Sequence, residues 1–289
     1  MTKNAFTVCI IGLGLMGGSL SLALRSVESS TFNVQRIIGV TRNRGTLEAA
    51  QLTGAIDAGT SDLAEGARDA DVVVLATPAR TILRQIPEIG RHARPGALIL
   101  DLGSTKSAIC AAMEVLPDGL QPVGGHPMCG KETAGFAAAD AALFRGKIFV
   151  LCPLPRTAPQ ALNQAKALAE AIGACPVVLD PQAHDQAVAA ISHLPYAAAV
   201  ALVNAVAAGD NSLAWGLAAS GFRDTSRVAA SDVDMMLDVL LTNRTVVLDW
   251  LDAYASQLAA LRAALDSHDE TSLRAQLAKA QARRASLRF

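Results

Sequence analysis

Short, nearly unbroken apolar runs alternate with Ala- and Leu-rich stretches through the first 180 residues. "TVCIIGL" (7–13), "RIIGV" (36–40), "DVVVLATP" (71–78) and "ALILDLGS" (97–104) read as strands. "QPVGG" (121–125), "KIFVLCP" (147–153) and "PVVLD" (176–180) read as shorter ones. These runs lack the polar alternation of a half-solvated strand, so burial on both faces is expected. Such strands, joined by helical segments, predict a mostly parallel sheet covered on both sides, a doubly wound α/β arrangement. Beyond Asp180 the strand pattern stops. From Asp232 onward Leu237, Leu240, Leu241, Val247, Leu248, Leu251, Leu258, Leu261 and Leu265 recur at helical spacing. That run is longer than an ordinary helix, so it either breaks or packs against another long helix. Two domains are expected: an α/β domain over 1–180 and an all-helical one over 181–289, whose apolar face suits a homodimer.

Composition narrows the partner. Of 289 residues, 51% are apolar and 18% charged, the balance of a folded chain with a sizeable core. A net charge of −1 gives no bulk attraction to nucleic acid or to an anionic membrane, which leaves a small molecule as the expected partner. Cys9, Cys110, Cys129, Cys152 and Cys175 are scattered, odd in number and form no C-x-x-C, so neither a disulfide framework nor a metal site is expected. A reducing cytoplasm is the simplest compartment. Glycines interrupt the apolar N-terminal run "FTVCIIGLGLMGG", and no cleavage-like segment follows it. "AAISHLPYAAAVALVNAVAA" (189–208) is interrupted by His193 and Pro195 and is expected to be a buried helix rather than a membrane span.

The chemistry begins at "GLGLMG", which sets Gly12, Gly14 and Gly17 directly after the first strand and at the mouth of a helix expected over 17–26. Gly12 permits the tight turn, Gly14 lets a pyrophosphate approach the backbone, and Gly17 lets helix and strand pack closely. Free amides at the helix N-terminus then face the phosphates, with Leu13, Leu15 and Met16 completing the loop. This is the signature of a Rossmann nucleotide-binding domain. At the end of the second strand an acid would accept from both ribose hydroxyls, yet "GVTRNRGT" supplies Thr41 and Arg42. Removing that negative charge and adding a fork of donors suits a 2′-phosphate, with Arg44 and Thr46 adding contacts. The expected cofactor is NADP in preference to NAD; the alternative is that these residues are solvated and NAD binds without the acid.

Three further segments carry candidate residues. In "DLGSTK" (101–106), at a strand's carboxyl end, Ser104 and Lys106 are expected to project toward the nicotinamide. In "GGHPMCGKE" (124–132), glycines and a proline are expected to fix His126 in a loop just after a short strand, and its near-neutral pKa suits a hydroxyl that loses its proton during hydride transfer. "HDQAVAAISHLPY" (184–196) sets His184 and His193 nine residues apart, and "SGFRDTSRVAASD" (220–232) groups Arg223, Asp224 and Arg227 for carboxylate binding in a loop before the long helix.

In order and spacing these segments resemble the prephenate/arogenate dehydrogenase family of tyrosine biosynthesis, over essentially the whole chain. The resemblance implies an oxidative decarboxylation, of arogenate to tyrosine or of prephenate to 4-hydroxyphenylpyruvate. Hydride leaves the carbon bearing the ring hydroxyl, CO₂ leaves the ring, and aromatisation makes the step effectively irreversible. It also implies roles. His126 polarises the ring hydroxyl and Ser104 helps hold it; Arg227 binds a substrate carboxylate. His184 supports the site, Glu132 and Asp224 are acids at its entrance, and Thr77 with Pro78 form a strand-end turn touching the nucleotide. Tyr196 stands where prephenate-using relatives often carry a histidine, and Met236 where some carry a tryptophan. Both departures bear on the substrate's side chain and lean toward arogenate. Two other readings start from the same glycine loop: a 3-hydroxyisobutyrate or 6-phosphogluconate type of dehydrogenase, and a non-catalytic NADP-binding regulator. The H-P-M loop and the S-R-V segment do not belong to the first, and His126 and Ser104 argue against the second.

Overall fold

The computed structural model describes residues 5–26, 32–131, 133–209 and 212–287. Eight strands form one sheet: β1 (Ala5–Ile11), β2 (Asn33–Val40), β3 (Ala58–Thr60), β4 (Val72–Leu75), β5 (Leu98–Asp101), β6 (Gln121–Pro127), β7 (Ile148–Pro153) and β8 (Cys175–Val178), in the order β3-β2-β1-β4-β5-β6-β7-β8. All seven expected strands form, and β3 is added at one edge. Neighbours run parallel except β6 and β7, which pair antiparallel with His126 opposite Val150.

Strand residues alternate between two apolar cores, as the pleat requires. Val8, Ile10, Val72, Val74, Leu98 and Leu100 face a layer that includes α1 (Leu15–Arg25), α2 (Arg44–Leu52) and α6 (Pro159–Ala171). Cys9, Ile11, Val73, Leu75 and Ile99 face α3 (Leu63–Ala67), α4 (Ala79–His92) and α5 (Ser107–Glu114). Helix α4 shows why this works: Ile82, Ile86 and Ile89 fall on one face and are buried, while Arg80 and Arg84 point away from the sheet. Strand order reverses at β1, which lies between β2 and β4, so the loops after β1 and β4 open into one crevice at the sheet's carboxyl edge.

The remaining helices are α7 (Pro181–Val188), α8 (Leu194–Ala208), α9 (Ser212–Gly216), α10 (Ser220–Ser226), α11 (Val233–Thr242), α12 (Arg244–Asp266) and α13 (Glu270–Ala285). The chain divides into two compact units, Met1–Asn243 and Arg244–Phe289. Helices α7 to α11 thus pack in the same unit as the sheet. In the second unit α12 and α13 pack on each other, and Asp269 caps α13 through the Ser272 amide at 3.0 Å. The long apolar pattern from Asp232 breaks at Asn243, which leaves helical geometry and spends its side chain elsewhere.

Two expectations are corrected. The helix over 189–208 is not buried within this chain: among its described residues only Ala189, His193 and Ala199 are fully covered. Pro181–Ala208 is long and apolar enough to cross a membrane by length and composition. Residues 220–232 are not a loop: α10 and a 3₁₀ turn at Arg227–Ala230 occupy most of them.

Candidate active site

The glycine loop follows β1 as its spacing requires. Gly12 has φ +97°, and a Cβ there would lie 2.8 Å from the Ala76 carbonyl oxygen; one on Gly17 would run into the Gly12 carbonyl. A Cβ on Gly14 would meet nothing within 4 Å, which leaves that backbone open to a ligand. Helix α1 begins there with no side-chain cap and no acid in its first turn, so its amides are available to an anion. The Leu13 side chain is buried in the core beneath Gly39, which leaves only its backbone available to a ligand. Leu15 and Met16 are half-buried beside it. At the end of β2, the Thr41 amide donates to the Thr60 carbonyl at 3.1 Å, and Asn43 caps α2 through the Thr46 amide at 3.1 Å. Arg42 is exposed on that turn, whereas Arg44 pairs with Glu48 at 2.9 Å. After β4, Thr77 donates to Gln85 Oε1 at 2.7 Å and Pro78 opens α4.

The carboxyl ends of β5 and β6 hold a chain of polar contacts. His126 Nδ1 lies 2.8 Å from His184 Nε2, and His184 Nδ1 lies 2.8 Å from Asp185 Oδ1. Asp185 then accepts from the Lys106 amide at 2.7 Å and the Ser107 amide at 2.8 Å, capping α5 from a helix far along the chain. Asn243 Nδ2 donates to the Asp185 carbonyl at 2.8 Å and lies 3.4 Å from His193 Nδ1. In an unbroken α-helix, at about 100° per residue, His184 and His193 would face opposite sides. A π turn over Ala189–His193 changes the phase, and both rings are buried next to Asp185.

Lys106 corrects the sequence expectation. Its side chain turns inward, fully buried, pairing with Asp101 and donating to the Gly125 carbonyl at 2.6 Å. Asp101 in turn accepts from the Gly125 amide at 3.0 Å and the Gly103 amide at 2.8 Å. Ser104, between these anchors, is half-buried at the same strand edge as His126.

The electrostatics follow from this packing. Burial holds the His126 pKa well below 6.5, helped by the Lys106 charge and the other two imidazoles and opposed by Asp185. Burial pushes Asp185 up, but bonds from His184 and from the Lys106 and Ser107 amides outweigh it and hold it below the usual carboxylate value. At neutral pH the arrangement is a neutral imidazole backed by a second imidazole and a carboxylate.

Tyr196, in the first turn of α8, is half-buried. Asp224 is exposed and pairs with Arg223 at 2.9 Å. The turn carrying Arg227 packs on α8. Glu132 lies outside the described residues. Sequence reasoning missed Asp101, Asp185 and Asn243, and Asp185 left one signal, its place beside His184 in "HDQ".

A family model described as "Prephenate dehydrogenase, nucleotide-binding domain" matches residues 23–178, and one described as "Prephenate dehydrogenase, dimerization domain" matches residues 180–279. The chain belongs to the prephenate dehydrogenase family. The prephenate dehydrogenase of Bacillus subtilis (strain 168) is 34% identical over 277 residues, covering 94% of this chain and 74% of that one. The crystal structure of Synechocystis arogenate dehydrogenase superposes with a TM-score of 0.82 at 32% identity, covering 96% of this chain and 99% of that one. That of the A. aeolicus prephenate dehydrogenase with hydroxyphenyl propionate and NAD⁺ superposes at 0.89 and 27% identity, covering 99% of each chain. A Mycobacterium tuberculosis 3-hydroxyisobutyrate dehydrogenase reaches 0.57 at 17% identity and shares the fold alone. Both family segments contribute to this chain of contacts, the first through His126 and the Lys106 and Ser107 amides and the second through His184, Asp185 and Asn243.

Proposed function

We propose that this chain is a pyridine-nucleotide-dependent oxidoreductase that oxidatively decarboxylates a cyclohexadienol, arogenate or prephenate, in tyrosine biosynthesis, with NADP⁺ preferred. Membership of the prephenate dehydrogenase family supports the reaction class. The observation that carries the reading in this chain is the 2.8 Å contact between His126 and His184 at the sheet's carboxyl edge, where α/β enzymes bind ligands.

A bound nucleotide supplies the ring that accepts a hydride. The chain's residues do the remaining work. Gly12, Gly14 and Gly17, with Leu13, Leu15 and Met16, bring backbone to the pyrophosphate, and Thr77 and Pro78 line the same crevice. Arg42 offers the 2′-phosphate an exposed guanidinium, with Thr41 and Thr46 beside it, and no acid on this turn opposes the charge. Neutral His126 accepts the hydroxyl proton as hydride departs, and Ser104 holds the same hydroxyl. Arg227 is assigned a substrate carboxylate, His184 the support of the site, Tyr196 the substrate's side chain, and Glu132 and Asp224 the acids at the entrance. Loss of the ring carboxylate as CO₂ aromatises the product, which drives the step forward. Tyr196 and Met236 favour the ammonium-bearing side chain of arogenate over the ketone of prephenate.

We also assign the working unit as a soluble, cytoplasmic homodimer whose domains meet near residue 180. The matched dimerization segment contains α8, whose apolar side is left largely uncovered within one chain. Steady-state assays crossing arogenate and prephenate with NADP⁺ and NAD⁺ test the whole reading. Reduced nucleotide forming fastest with arogenate and NADP⁺ is expected. Failure of every pairing overturns the reaction, and an NAD⁺ advantage overturns the cofactor assignment.

A further inference from the structure

We infer that Asp185 is a positioning residue: through His184 it holds His126 in the tautomer protonated at Nδ1, so that Nε2 is the nitrogen offered to the substrate hydroxyl. The inference rests on the proposed role of His126 as acceptor of that proton.

With His184 taken as a neutral imidazole, the directions of the bonds follow from one fixed point. Asp185 accepts two backbone amides, from Lys106 at 2.7 Å and Ser107 at 2.8 Å, which a carboxylate can do only as an acceptor. The nitrogen 2.8 Å from its Oδ1, His184 Nδ1, is therefore the donor. A neutral imidazole carrying its proton on Nδ1 has its lone pair on Nε2. His184 Nε2 thus accepts, and His126 Nδ1, 2.8 Å away, donates to it. His126 Nε2 is left as the bare nitrogen, aimed away from the chain of contacts. With the opposite tautomer, His126 would present N–H to a hydroxyl and could not take its proton. Two amides and one carboxylate, set by the packing of α7 on the start of α5, therefore choose the working face of a ring two residues removed.

The test reads the tautomer directly. The chain has five histidines, so ¹⁵N NMR of the ring nitrogens is assignable by single substitutions. The unliganded protein is expected to show His126 protonated at Nδ1 and bare at Nε2. Asp185→Asn should mix the tautomers and lower kcat by roughly tenfold or more, with nucleotide affinity unchanged. Because Asp185 also caps α5, a second pair of variants decides the matter if Asp185→Asn does not fold. His184→Gln can still donate to Asp185 and accept from His126, so it should keep the tautomer and recover much of the kcat that His184→Leu loses. His126 protonated at Nε2 in the wild type, or equal losses in the two His184 variants, overturns the inference. If the tautomer is as expected but neither arogenate nor prephenate is oxidised, the functional reading falls and the tautomer assignment stands.

Discussion

Lys106 and Asp101 form an ion pair in which neither side chain reaches solvent, and between them they hold both backbone groups of Gly125. The residue before His126 is therefore clamped at its amide by Asp101 and at its carbonyl by Lys106. Gly125 has no room for a side chain, since a Cβ would press on the Asp101 carbonyl and lie 3.0 Å from Leu100 Cδ1. The pair thus positions the β6 end that carries His126.

Breaking that pair should be costly. Lys106→Met leaves a fully buried carboxylate without its counter-charge, which typically costs about 3–5 kcal/mol. Urea unfolding should show a loss of that order together with a fall in kcat, because the Gly125 carbonyl also loses its donor. A stability near wild type would mean that Asp101 is satisfied by the Gly103 and Gly125 amides alone.

His126 itself should control chemistry and not cofactor binding. General-base contributions are typically about 10²–10⁴-fold, so His126→Asn should lower kcat within that range. Fluorescence titration with the nucleotide should give an unchanged Kd. A joint fall in kcat and nucleotide affinity would place the residue in the cofactor site instead.

Arg42 tests the choice of nucleotide. A charge-assisted hydrogen bond contributes roughly 1.5–3 kcal/mol, so Arg42→Ala should reduce kcat/KM for NADP⁺ by about tenfold or more and leave that for NAD⁺ unchanged. Equal losses with both cofactors would remove Arg42 from 2′-phosphate recognition.

What the sequence disclosed follows from range. Strands such as Val72–Leu75 and Leu98–Asp101 are buried on both faces, and that environment writes an unbroken apolar run. Strand β3 is the three-residue segment Ala-Gly-Thr at an edge, with no apolar run to mark it. The antiparallel pairing of β6 with β7 was also illegible, because strand direction does not alter which side chains are buried. The glycine loop was readable because neighbouring residues impose its geometry, whereas His126, expected in a loop, lies in strand β6 opposite Val150. Asp185 with Lys106, and Asn243 with Asp185, are partners 79 and 58 positions apart, and no local pattern joins them. Lys106 was misread for the same reason: its partner Asp101 is five residues away, but the cavity that draws it inward is made by β6.

His193 makes stability depend on pH, and its sign can be worked out. Burial pushes its pKa down from 6.5 to about 4, with His184 adding to the shift and Asp185 opposing it. The Asn243 amide nitrogen, 3.4 Å from His193 Nδ1, faces that atom as a donor and so favours the neutral ring. Between those two values the unfolded chain binds a proton that the folded chain refuses. Stability is therefore highest above pH 6.5 and is lost progressively as pH falls toward 4, below which this group adds no further slope. At roughly 1.4 kcal/mol per unit, the full loss is on the order of 3 kcal/mol. Urea unfolding of the wild type and of His193→Asn, each at several values between pH 8 and pH 4, isolates the effect. The variant should be less stable than the wild type at pH 8 but decline less steeply below pH 6.5. Parallel declines would show that His193 is not the group whose protonation the fold resists.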